Sequence, residues 1–135
     1  MSESLSEIRD DIKSTLKQLD QHLIKLILFK DCASRNDWAD EVYSFLNSIR
    51  RAKNSKKFPK YSFIRRTLAI DEDILDSYIL QIKSDYSDLV LSDISDEDVT
   101  TLVIAYHDWL ATKLSERGIV TRAEVHQILT DLNIF

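Results

Sequence analysis

A chain of 135 residues with one glycine and one proline has very few ways to turn sharply. Average usage would supply roughly nine glycines and seven prolines over this length. Sandwiches, barrels and doubly wound sheets draw on both residues, glycine for positive φ and proline for pre-set turns, so such folds are disfavoured. Phosphate cradles built on glycine backbone, the P-loop and the dinucleotide fingerprint, are excluded by count. Helices joined by short polar connections need neither residue. The expected fold is therefore all-α, a compact bundle of five or six helices with a long N-terminal helix and no sheet. No internal repeat, low-complexity tract or interdomain linker interrupts the pattern, so residues 1–135 read as a single helical domain.

The apolar periodicity supports this expectation segment by segment. Leu5, Ile8, Ile12, Leu16, Leu19, Leu23, Leu26 and Ile27 recur every three or four residues, which predicts a helix from about Leu5 to Lys30. Such a helix would be close to 40 Å long, and its stripe resembles the seam of a coiled coil. Leu5, Ile8, Ile12, Leu16, Leu19 and Leu23 are accordingly the expected self-association residues. A second helix is expected from Asp37 to Lys53, with acids in its first turns and Arg50, Arg51 and Lys53 in its last, as the helix dipole favours. A short helix from Phe63 to Leu68 is the next expectation. Asp71 is placed to cap another, from Glu72 to about Asp85. Ser95 to Asp98 has capping-box spacing and opens a patterned helix to about Arg117, followed by the lone glycine, Gly118. Thr121 to Glu124 is a second capping box, before a last short helix. Leu89 to Leu91 is too short to assign.

Cys32 stands alone, so no intramolecular disulfide framework is expected. The acidic N-terminus does not resemble a secretory signal, and Leu23 to Phe29 is far too short to span a bilayer. The expected compartment is the cytoplasm.

Charge is the main functional clue. Net charge is −5, yet Arg50, Arg51, Lys53, Lys56, Lys57, Lys60, Arg65 and Arg66 form an acid-free run. That run carries +8 and leaves −13 on the remainder. Phe58, Tyr61 and Phe63 interleave with its bases. Three readings are open: solvated helix ends and loop, docking on an acidic protein face that belongs to a partner or to another copy, or binding of a polyanion with charge on the backbone and rings on the bases. Two segments have helix-turn-helix length, but the helix after Asp71 carries acids that would face phosphate.

Signals for catalysis are sparse. No two His or Cys lie at zinc-ligand spacing among His22, His107, His126 and Cys32, so no metal or other cofactor is expected. Cys32 reads as structural, with no partner base legible in the sequence. Arg122 and His126 share a helical face, and a surface pair explains them. Clustered aspartates at helix starts serve as caps. The expected function is a non-enzymatic protein-protein interaction module or small subunit, self-associating through its long first helix. The alternative is a sequence-tolerant nucleic-acid binder using residues 50–66. Neither a membrane nor a small-molecule substrate is expected as a partner.

Overall fold

The computed structural model describes residues 5–53, 69–115 and 120–135, the side chains of 5–9, 11, 49–53 and 115 excepted. Among the described residues there are five helices and no strand: α1 Leu5–Leu28, α2 Arg35–Lys53, α3 Glu72–Asp85, α4 Asp96–Ser115 and α5 Arg122–Asp131. The fold is the all-helical bundle that the scarcity of glycine and proline implies. The expected helix at Phe63–Leu68 and the glycine stop at Gly118 lie outside the described residues.

α1 is the central element. It packs against α2, α3 and α4, while α5 closes over α2. α1 and α2 run antiparallel, as shown by His22 meeting Glu41 while Arg35 reaches the Leu26 carbonyl. α3 and α4 form a second antiparallel pair, pinned by Lys83 Nζ on Asp96 Oδ1 at 2.7 Å. One core joins them all, from Ile12 and Leu16 through Val42, Leu75, Val103 and Tyr106 to Leu129 and Ile134.

The end of α1 is largely buried: Leu23, Ile24, Leu26, Ile27 and Leu28, with Phe29 just beyond it, are all sequestered, and Lys25 alone in that stretch is partly exposed. A helix end in that position has carbonyls that neither the helix nor water can satisfy. Distant residues supply the donors. Ser92 donates its backbone N–H to Leu28 O and its hydroxyl to Ile27 O, both at 2.7 Å, and Arg35 Nη2 donates to Leu26 O. The stretch around Leu89–Leu91, left unassigned on sequence, is thus the approach to a cap in trans, and it is irregular because it follows the end of α1 rather than a ladder of its own.

The C-terminus is clasped from the same side. Asn133 adopts φ 59°, a left-handed conformation that asparagine tolerates. That bend returns Ile134 to the core, where it is fully buried. Lys30 Nζ then donates to the carbonyls of Asn133 and Ile134, and Arg35 to that of Ile134. Burial, and secondarily the neighbouring Arg35, hold the Lys30 amine below its ordinary range.

Helix starts follow the caps. Asp71 Oδ1 accepts from the N–H groups of Asp73 and Ile74, Ser95 Oγ from Asp98, and Thr121 Oγ1 from Glu124. Two ends differ from expectation by about two residues. α1 stops at Leu28, and α2 starts at Arg35 rather than Asp37. At that start, the Trp38 N–H bonds back to the Ser34 carbonyl and draws the intervening residues into the first turn.

Candidate functional site

The basic run that dominates the sequence lies mostly beyond what is described. Lys56, Lys57, Phe58, Lys60, Tyr61, Arg65 and Arg66 are outside the described residues. Arg50, Arg51 and Lys53 close the backbone of α2, with their side chains outside the described ones. In the expected seam, Leu5 and Ile8 lie in α1 with side chains outside the description. Ile12, Leu16, Leu19 and Leu23 are at most 6% exposed. Those four are enclosed by the chain's own helices. The reason is length: a stripe reads as a seam when nothing in the sequence says how many helices will fold back on it, and three do.

The structure places a groove on the outer side of the α3–α4 pair, with a volume of about 690 Å³. From α3 come Glu72, Asp76 and Leu80, spaced four apart and so stacked on one face. From α4 come Asp96, Glu97, Thr100, Thr101 and Ile104. Four carboxylates rim it and no base lines it among the described residues, although Lys83 engages Asp96 from beside it. Leu80 stands 72% exposed in its wall. A leucine so exposed among carboxylates is the arrangement of a surface with an apolar anchor point inside a charged rim. Sequence reading took the acids of α3 and α4 for caps alone. Asp71 and Ser95 are the caps, and Glu72, Asp76 and Glu97 are left facing outward.

Each of the three histidines meets a carboxylate on another helix. His107 Nε2 of α4 lies 2.5 Å from Asp20 Oδ1 of α1, and both residues are buried. His22 of α1 meets Glu41 of α2, with its ring edge-on to Phe45. His126 and Arg122, the pair that sequence spacing put on one face of α5, converge on Asp40 of α2 at 3.7 and 3.5 Å, with Arg122 also over the Tyr43 ring. These are interhelical ties. Among the described residues no three metal-binding side chains cluster. Cys32 is half-buried against the core. No helix among the described residues is long and apolar enough to cross a membrane.

On the opposite side of α3 from the groove, a cleft of about 320 Å³ separates α3 from α1. The Asp20–His107 pair forms its floor, and Tyr78 lines it too. Burial, and then the Asp20 charge, push the Tyr78 phenol above its ordinary range. The same two causes act more strongly on Tyr106 behind it, whose hydroxyl has no hydrogen-bond partner. Neither tie nor cleft was legible in the sequence, because Asp20 and His107 are 87 residues apart.

Comparison with protein-family models, with curated proteins and with solved structures finds no match to this chain.

Proposed function

We propose that the protein is a non-enzymatic interaction module whose α3–α4 groove docks a basic segment bearing apolar side chains. The observation that carries this reading is the exposed Leu80 inside a carboxylate rim. An acidic groove favours a cationic occupant and repels nucleic acid, while its apolar residues, Leu80 and Ile104, reward an occupant with rings or aliphatic chains. The chain's own basic run has that chemistry, with eight bases and with Phe58, Tyr61 and Phe63 among them. A second copy is therefore the proposed occupant, its run lying in the groove of the first. This geometry makes the self-association electrostatic and leaves the α1 stripe to the core.

The test is titration of the full chain with a labelled peptide of residues 50–66, beside single-stranded and duplex oligonucleotides of matched size, at two salt concentrations. The peptide should bind, and Asp76→Lys with Leu80→Lys should abolish its binding. Oligonucleotides should bind weakly at low salt through the basic run and be lost at physiological salt. Each phosphate contact contributes a slope of about 0.9 log units per log unit of salt on duplex DNA. Tight oligonucleotide binding at physiological salt, with no peptide binding, would replace this reading with the nucleic-acid one.

A further inference from the structure

The cleft between α1 and α3 is lined by two carboxylates and two lysines that do not pair with each other. Its two carboxylates are both engaged: Asp20 by His107, and Asp71 by the first amides of α3. Its two cations are not. Lys13 and Lys17 lie one helical turn apart on α1, exposed at the cleft mouth, and neither has an ion-pair partner among the described residues. Between mouth and floor the walls are apolar, built from Leu16, Ile70, Ile74 and Leu75. Ile74 is 49% exposed, although it sits on the cleft side of a helix that buries its neighbours Leu75 and Ile79. The volume falls at the lower end of small-molecule sites, which combine apolar walls with a few fixed polar groups.

From the unpaired lysines, the apolar walls and the buried polar floor, we infer that this cleft binds a small amphiphilic carboxylate, its anionic head on Lys13 and Lys17 and its apolar body against Ile70, Ile74 and Leu16. The head is held at the rim, where two exposed lysines lie one turn apart and do not have to be desolvated first. The body covers Ile74. The Asp20–His107 pair closes the far end with groups already matched to each other, which limits the length of chain that fits. Cleft and docking groove occupy different faces of α3: Asp71, Ile74, Leu75 and Tyr78 line the one, and Glu72, Asp76 and Leu80 the other. The inference is therefore independent of the docking reading.

Sodium octanoate is a suitable probe, titrated calorimetrically into the full chain at low ionic strength. Octylammonium chloride and sodium phosphate serve as comparators: the first reverses the head charge, and the second removes the apolar body. Octanoate should bind at one site, with both comparators at least tenfold weaker. Lys13→Met with Lys17→Met should weaken octanoate at least tenfold, and so should Ile74→Asp. All three positions are exposed, and circular dichroism verifies that each variant keeps its helix. Asp76→Lys with Leu80→Lys, on the other face, should leave octanoate binding unchanged. Amide chemical-shift changes should map to residues 13–20 and 69–78. Several outcomes overturn the inference: no octanoate binding up to about 10 mM, a weak limit for a ligand of about ten non-hydrogen atoms; binding insensitive to the lysine or Ile74 changes; or octylammonium or phosphate binding as tightly.

Discussion

Asp20 and His107 form the most consequential pair of side chains in the molecule, with exposures of 8% and 5%. A buried carboxylate that loses its partner keeps its desolvation penalty. His107→Leu should therefore destabilise the fold by about 3–5 kcal/mol in denaturant unfolding, and Asp20→Leu in the His107→Leu background should restore much of that. His126→Ala should cost less than about 1 kcal/mol, since its partner Asp40 is solvent-accessible. Tyr106 makes an opposite case. Its hydroxyl is buried with no partner, so Tyr106→Phe should leave neutral-pH stability unchanged or raise it, by the same unfolding measurement. Its phenol is held above the ordinary range chiefly by burial, and that of Tyr78 likewise. The unfolded chain releases these protons from about pH 10 while the folded chain retains them. Stability should thus be complete below pH 10 and fall as pH rises above it, and Tyr106→Phe should shift that alkaline loss upward.

At the scale of elements, the caps and stripes were legible because they are local. Asp71, Ser95 and Thr121 lie within three residues of the amides they serve, and apolar spacing placed α1 to α5 to within a turn. What closes the elements onto one another was not legible. The Ser92 cap on α1 comes from a stretch with no periodicity, 65 residues from the carbonyl its hydroxyl serves. No local pattern reports that a helix end is buried. The groove was equally hidden, because Glu72, Asp76 and Leu80 become a wall only when α4 lies beside them. Ser92→Ala should remove the donor to a buried carbonyl and cost about 1–3 kcal/mol, read from the shift in denaturant midpoint. Asp71→Ala should cost about 1 kcal/mol through the lost cap. Leu19→Glu should unfold the chain outright, because Leu19 is fully buried in the core. A folded, dissociated Leu19→Glu would return α1 to the role of an interface.

For the whole molecule, the central claim is that charge is separated along the chain so that one copy can engage another. The basic run carries +8, and the remainder, groove included, carries −13. Association of this kind is steered by long-range attraction and weakened by salt, since its charges are exposed. Two variants isolate its two halves. Lys56→Glu/Lys57→Glu/Lys60→Glu keeps the groove and loses the run, while Asp76→Lys/Leu80→Lys keeps the run and loses the groove. The decisive measurement is sedimentation velocity of wild type, of each variant alone and of their equimolar mixture, at low and physiological salt. Wild type should associate with rising concentration, each variant alone should remain monomeric, and the mixture should regain association, more strongly at low salt. A monomeric wild type at high micromolar concentration, variants that associate as wild type does, or a mixture no different from its components would contradict it.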